Sequence, residues 1–326
     1  MAQTALPQIS VVVPLLNEED NLAVLYQEIT QALTGVGDYE VLFVDDGSTD
    51  RSFEILAGLH QRDPHVRVIR FRRNFGQTAA LSAGFAHARG EVIVALDADL
   101  QNDPADIPML MDKLNEGFDV VSGWRRRRKD KALTRRLPSR IANSLIAWVT
   151  GVRIHDYGCT LKAYRREVLH ETRLYGEMHR FIPAIASWAG ARIAEVEVHH
   201  RPRTAGVAKY GLGRTFKVLL DLITLKFLGS YSTKPIYIFG GLGGLTGLFS
   251  VLFGLLVVSE KVNRGVDMSG NPMLLLSAVL GVTTVQFVLM GLLAELLVRT
   301  YHESQNRATY VIREVLGLAE GQGDRT

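Results

Sequence analysis

Two apolar stretches near the C-terminus constrain this chain more than any other feature. The first runs from about Pro235 to Val258 without a charge, and the second from about Met273 to Val298 with only Glu295, near its end. Each approaches or exceeds the roughly 20 residues that carry a helix across a bilayer core. Charged residues are 22% of the chain, yet most of them fall before about residue 215. The expected organisation is a polar domain over 1–209, a juxtamembrane segment over 210–234, two transmembrane helices within 235–298 joined by a short external loop over 259–272, and a C-terminal segment over 299–326. Lys217, Lys226 and Lys234 precede the apolar stretches and Arg299, Arg307 and Arg313 follow them, whereas Lys261 and Arg264 in the loop are offset by Glu260 and Asp267. The excess of basic residues on both outer flanks predicts that the flanks lie in the cytoplasm. The N-terminus lacks a basic segment followed by a long apolar one, so no cleaved signal peptide is expected. The expectation is a multi-pass protein of the plasma (inner) membrane with its polar domain in the cytoplasm.

Within 210–230, Phe216, Leu219, Leu220, Ile223 and Phe227 recur at helical spacing among Arg214, Lys217 and Lys226, the pattern of a helix lying in the membrane surface. Gly240, Gly241, Gly243, Gly244 and Gly247 fall inside the first apolar stretch. No Lys-Ser/Thr follows them, so they do not form a phosphate loop. Their small-xxx-small spacing instead predicts close helix packing, within the chain or in a homo-oligomer, a tetramer being one arrangement. A net charge of +3 gives no reason to expect a nucleic-acid partner. The single cysteine, Cys159, excludes an intrachain disulfide and a cysteine-built zinc site.

The first half alternates strand-like and helix-like segments. Strands are expected over Ile9–Pro14, Glu40–Val44, Val66–Phe71 and Glu91–Leu96, with a further one starting at Val120–Ser122; helices are expected over Asn17–Leu33, Thr49–Leu59, Gln77–Ala88 and Ile107–Asn115. This alternation predicts an α/β domain with a mostly parallel, Rossmann-like sheet. Ligands of such sheets bind beyond the C-terminal ends of the strands. The polar clusters Asn17-Glu18, Asp45-Asp46 and Asp97-Ala98-Asp99 fall there.

Asp97 and Asp99, with Gln101 after them, close an apolar strand. Two carboxylates one residue apart can reach one Mg²⁺ or Mn²⁺, hard cations that prefer oxygen and bridge diphosphates. The run Asp45-Asp46-Gly47-Ser48-Thr49-Asp50 can hydrogen-bond a ribose or base, and Ser48 or Asp50 can also cap the next helix. The basic run Arg125–Lys129, with Lys131, Arg135, Arg136 and Arg140, fits a loop facing anionic headgroups or an acceptor phosphate.

Taken in order, the segments VVVPLLNEEDN (11–21), VLFVDDGSTD (41–50), RNFGQTAALSAGF (73–85), ALDADLQNDP (95–104), HDYGCTLKAYRREVL (155–169) and HHRPRTAGVAKYG (199–211) resemble the family 2 glycosyltransferases. The whole chain is similar to their polyprenyl-phosphate branch, related to dolichol-phosphate mannose synthase. The resemblance implies a GT-A fold and an inverting, metal-dependent transfer of a hexose from a nucleotide sugar to undecaprenyl or another polyprenyl phosphate at the cytoplasmic membrane face. UDP-glucose is the expected donor, with GDP-mannose or a UDP-aminopentose as alternatives. It implies that Asp99 binds the metal with help from Asp97 and Gln101, that Pro14, Glu18, Asp46, Gln77 and Asp97 line the nucleotide-sugar pocket, and that Asp156 lies near the reacting sugar. Arg201, Arg203 and Lys209 would bind phosphate, with Arg125 and Arg140 on the acceptor side. Ala208 stands where relatives often carry Ser. A phosphate acceptor is already ionised near neutral pH, so Asp156 is expected to orient the sugar or a cation rather than act as a strong base. A processive polysaccharide synthase would need more spans and a Q-x-x-R-W motif, neither of which is present. A non-catalytic membrane scaffold keeping the same fold is the alternative outside enzymes.

Overall fold

The structure, a computed structural model, describes residues 6–126, 146–147, 150–170, 178–202, 236–265, 267, 271–304 and 310–317. The expected surface helix within 210–234, the basic residues after Arg126 up to Arg140, and Arg203 and Lys209 lie outside the described residues. The chain divides into two units, one holding the sheet and the other the two long C-terminal helices.

The sheet unit begins with β1 (Ile9–Leu15), α1 (Leu22–Leu33), β2 (Tyr39–Asp45), α2 (Ser52–Arg62), β3 (Val66–Phe71), α3 (Gln77–His87) and β4 (Val92–Ala95). A 3-10 turn (Pro104–Asp106), α4 (Ile107–Asn115) and β5 (Val120–Trp124) follow. Then come β6 (Lys162–Arg165), α5 (Arg166–His170), a second 3-10 turn (Met178–Phe181), α6 (Ile182–Trp188) and β7 (Ile193–Glu197). After the two long helices, β8 (Ile312–Leu316) completes a sheet of order β7-β5-β6-β4-β1-β2-β3-β8. The strands β4, β1, β2 and β3 are mutually parallel, as the alternation predicts. Antiparallel pairings come from β6, against β4 and β5, and from β8 against β3.

Both faces of the sheet are covered. Ile9, Val11, Val13 and Leu15 face Leu22, Leu25, Ile29 and Leu33 of α1 and Leu110 and Leu114 of α4. Val12, Leu42, Val44 and Ile69 face the small residues of α3, Ala79, Ala80 and Ala83. Side chains that alternate across a strand feed two cores, so the strand itself reads as a continuous apolar run. Each fully buried Leu or Ile contributes about 1.5–3 kcal/mol. Gly84 lets α3 close onto the sheet: a Cβ there would lie 2.2 Å from Val12 Cγ1.

The second helix runs on to Arg62, past the expected end at Leu59, the ends of β1, β2, α3 and β4 differ by one residue, and two helix starts move for a local reason. The first helix starts at Leu22 rather than Asn17, because Asn17 takes a left-handed backbone (φ 57°) and its polar groups bond the next loop. The second starts at Ser52 rather than Thr49 for the same contacts.

In the second unit, α7 (Ile236–Arg264) and α8 (Pro272–Ser304) form a helical pair. The spans Phe239–Arg264 and Pro272–Ala294 are long and apolar enough to cross a membrane, and their most apolar windows are only 11% and 0% buried. Buried core helices would show the opposite, so a bilayer is the solvent these surfaces fit. The helix α7 continues through Glu260, Lys261 and Arg264, which shortens the expected connecting loop. Hydroxyls join the pair: Thr246 Oγ1 lies 3.0 Å from Thr284 Oγ1, and Ser250 and Ser277 each donate to the other's carbonyl at 2.8 Å. Gly243 and Gly247 face α8, whereas a Cβ added at Gly240, Gly241 or Gly244 would meet no other group of the described residues within 4 Å.

Candidate active site

The loops at the C-terminal ends of β1 to β4 are tied into one hydrogen-bonded series. Asn17 links the first two: its amide donates to Ser48 Oγ at 2.9 Å, and its Oδ1 accepts from the Thr49 amide at 2.8 Å. The Glu18 amide donates to Ser52 Oγ at 3.0 Å, and Glu18 Oε2 accepts from Asn21 Nδ2 at 2.6 Å. Gly47 (φ 75°) packs the second loop onto the third so closely that a Cβ would lie 2.5 Å from the Arg73 backbone. Asp46 then accepts the amides of Phe75 and Gly76 at 2.7 and 2.9 Å. Burial raises the Asp46 carboxyl above its usual range despite these two donors. Neither Ser48 nor Asp50 takes the capping position expected of it: the N-cap of α2 is Arg51, without a side-chain cap, and Asp50 accepts the Ser52 amide at 3.0 Å from one residue further out. Pro14 is buried within β1, level with Val44.

Gln77, the first residue of α3, carries the series to the fourth loop: its Nε2 donates to Asp97 Oδ1 at 2.7 Å. Burial, and then the charge of Asp99, push the Asp97 carboxyl up to about 6. Next to this pair, Leu100 is held at φ 58°. A leucine in the left-handed region is strained, and such strain collects at functional turns. The Gln101 amide bonds Asp99 Oδ1 at 3.2 Å, and the Gln101 carbonyl accepts from the Arg201 amide at 2.8 Å.

Two of the expected phosphate-binding arginines are engaged by carboxylates. Arg125 binds Asp156 through Nε at 2.7 Å and Nη2 at 3.0 Å. Burial alone would lower the Arg125 pKa, but the bond to Asp156 overrides this and holds the guanidinium above its ordinary range. Arg201 binds Glu28 at 2.7 Å and Asp103 at 2.6 Å, which ties the strand-exit segment of β7 to α1 and the turn before α4. His199 bonds Asp106 at 2.7 Å on the same side, and this contact raises its pKa.

A cavity of about 80 Å³ lies beside Asp97, with Gln77, Tyr157, Lys162, His179 and Arg180 in its wall. Lys162 is buried on β6 and donates to the carbonyls of Tyr157 and Cys159; burial lowers its pKa. His179 Nδ1 lies 2.7 Å from Thr78 Oγ1. Lys162, His179, Arg180, Glu28 and Asp103 had no place in the site read from sequence. Lys162 stands between Leu161 and Ala163 in a segment bounded by Thr160 and Arg165, too short and too polar for its burial to be read from sequence.

The residues present fit a divalent cation shared with a diphosphate. Asp97 and Asp99 offer oxygens from one turn; burial first and the Asp99 charge second raise the Asp97 carboxyl, and a nearby cation would oppose both effects. Among the described residues no group of three or more His, Cys, Asp or Glu could hold a metal alone. Mg²⁺ and similar ions are commonly held by one or two carboxylates together with substrate phosphates.

Residues 10–173 match glycosyl transferase family 2. The dodecaprenyl-phosphate galacturonate synthase of Rhizobium johnstonii is 41% identical over 313 residues, covering 94% of this chain and 93% of that protein. The undecaprenyl-phosphate 4-deoxy-4-formamido-L-arabinose transferase of Shewanella sediminis is 39% identical over 311 residues, covering 94% and 92%. Among solved structures, glucosyl-3-phosphoglycerate synthase from Mycobacterium tuberculosis, in complex with Mn²⁺, uridine diphosphate and glucosyl-3-phosphoglycerate, superposes with a TM-score of 0.51 at 24% identity, covering 68% of this chain and 79% of that one. That likeness speaks for the GT-A-like fold alone. The chain belongs to glycosyl transferase family 2 and is a glycosyltransferase.

Proposed function

We infer that this enzyme transfers a glycosyl unit from a nucleoside diphosphate sugar to a polyprenyl phosphate. The observation that carries the reading is the pair Asp97 and Asp99, joined through Gln77 to α3 and through Gln101 to the Arg201 segment. The relatives named for dodecaprenyl- and undecaprenyl-phosphate acceptors, matched along nearly the whole chain, support the lipid acceptor.

In this reading Asp46, Glu18, Pro14 and Gln77 line the nucleotide end, and Asp97 and Asp99, with Gln101, hold Mg²⁺ or Mn²⁺. A bound cation would offset the charge that builds on the departing diphosphate. The acceptor phosphate oxygen attacks the anomeric carbon as the bond to the diphosphate breaks, in one displacement with inversion. The attacking oxygen is already ionised, so no strong base is required. The two-point clasp of Arg125 on Asp156 suits that demand, since it favours a charged carboxylate that orients rather than one that accepts a proton. In this reading Arg140, Arg203 and Lys209 supply positive charge for two anionic reactants, and Arg125 and Arg201 add to it only so far as the carboxylates that hold them leave their charge uncompensated. The domain reading made from sequence, with the catalytic unit in the cytoplasm at the inner membrane, is retained: the two spans found among the described residues would return the chain to the side it left, and β8 rejoins the sheet. Gly240 and Gly244, open in the single chain, suit a homo-oligomer packed through the membrane.

UDP-glucose remains the first donor to test, and the two relatives add a uronic acid and a formamido-arabinose donor to the panel. Purified full-length protein in lipid would be given labelled nucleotide sugars and undecaprenyl phosphate with Mg²⁺ or Mn²⁺. Organic-soluble label from one donor, lost with a chelator and in Asp99→Ala, is the expected result. Folded protein that binds nucleotide but transfers nothing from any donor would overturn the acceptor assignment and favour a scaffold.

A further inference from the structure

The return of the chain to the sheet after the second long helix has a consequence for the nucleotide loop. β8 pairs with β3 across a shift in register between Arg70 and Phe71. Just beyond it the Arg72 amide donates to the Val311 carbonyl at 3.1 Å. Here the Tyr310 ring stacks on Phe71, with centroids 5.0 Å apart and planes 13° from parallel. Phe71 meets Phe75 edge to face at 5.7 Å. The Arg73 guanidinium covers the Phe75 ring at 4.2 Å. Phe75 and Gly76 are the residues whose amides hold Asp46, and Gly76 (φ 97°) turns the chain into Gln77, the partner of Asp97.

The geometry points to Tyr310 as a positioning residue for the donor nucleotide: its ring fixes Phe71 and Phe75, and thereby the loop that orients Asp46 and Gln77. The inference rests on the reading of Asp46 and its loop as the nucleotide end of the site. Tyr310 acts on Asp46 through the aromatic stack. The phenol ring, rather than its hydroxyl, performs this role, because the stack and the edge-to-face contact are both ring contacts. Phe75 carries both the ring contact with Phe71 and one of the two amides that hold Asp46, so loss of the stack bears on that amide. A donor site braced in this way is complete only when the segment beyond the membrane helices has taken its place in the sheet.

The test uses the full chain in lipid, as wild type, Tyr310→Phe and Tyr310→Ala. UDP and GDP, each with Mn²⁺, serve as binding probes, and amide exchange is followed at Phe75 and Gly76. Tyr310→Phe is expected to match wild type. Tyr310→Ala is expected to bind the preferred nucleotide between about two- and tenfold more weakly, the fold-change that corresponds to one aromatic pair. Exchange at Phe75 and Gly76 should quicken while α1 and α4 keep their protection. Unchanged binding and exchange in Tyr310→Ala would overturn the inference. So would equal weakening in Tyr310→Phe, or loss of protection throughout the sheet unit, which would make Tyr310 a general core residue. If wild type binds neither nucleotide, the nucleotide reading fails, and exchange at Phe75 and Gly76 alone decides whether Tyr310 braces the loop.

Discussion

Arg125 grips Asp156 with two nitrogens, Nε at 2.7 Å and Nη2 at 3.0 Å, and their side chains are only 14% and 4% exposed. Planar forks of this kind fix orientation as well as charge. Removing one member of a buried pair leaves the other charge uncompensated, which is more costly than the pair was worth. Asp156→Ala is therefore expected to destabilise the full chain by about 3 kcal/mol, and Asp156→Asn by less, since its carbonyl still accepts one bond. Denaturant unfolding in detergent measures both. An alanine variant as stable as wild type would show that the fork is not a structural clasp.

Asp97 carries a stability cost. Its carboxyl titrates near 6 in the folded protein, against 3.8 for a free carboxylate. Below about pH 3.8 both folded and unfolded forms are protonated and nothing is lost. Between the two values the unfolded chain ionises first, and above about 6 the full cost applies. A rise of that size is worth at most about 3 kcal/mol, and partial solvent contact reduces it to about 1 kcal/mol. With a chelator present, Asp97→Asn should raise stability at pH 7.5 by that amount and lose the advantage as pH falls from about 6 to about 4. Melting curves at several pH values decide the matter, and a variant less stable than wild type at pH 7.5 would contradict the assignment.

Arg201 should separate stability from activity. Its side chain is 40% exposed, and its partners Glu28 and Asp103 are 27% and 19% exposed. Ion pairs this open contribute no more than about 1 kcal/mol. Arg201→Ala is expected to melt close to wild type, while transfer drops about 10- to 100-fold through loss of a charge-assisted phosphate contact. Initial rates beside a melting curve give both quantities. A large melting shift with proportionate activity loss would make Arg201 a strut between α1 and the turn before α4.

Gly84 sets how closely α3 lies on β1. A Cβ at that position would lie 2.2 Å from Val12 Cγ1, inside any tolerable contact. Gly84→Ala should cost about 1–3 kcal/mol by overpacking. Adding Val12→Ala should restore part of the loss, because it removes the obstructing methyl. A double-mutant cycle on thermal stability tests the coupling, and additive losses would mean that α3 shifts to absorb the methyl.

Much of the architecture was legible because local rules act locally. β3 and α4 have the bounds that apolar spacing predicts, and the acids closing β2 and β4 stand where an α/β sheet puts its ligands. The antiparallel strands were not legible. β8 is a short run, Ile312–Leu316, with Arg313 and Glu314 inside it, and its partner β3 lies far upstream across both long helices. β6 hid for a similar reason, since it opens with a buried lysine and spans only Lys162–Arg165.

By itself, then, the order of apolar and polar residues determined an α/β unit, its parallel core and two spans suited to a bilayer, because periodicity and length are properties of neighbouring residues. Which charges meet was decided by tertiary structure alone. Arg201 finds Glu28, Arg125 finds Asp156, and Tyr310 finds Phe71 only after the strands have taken their order. Each of these pairs joins residues remote in sequence, and the pairing follows from strand order and loop approach, which no local pattern encodes.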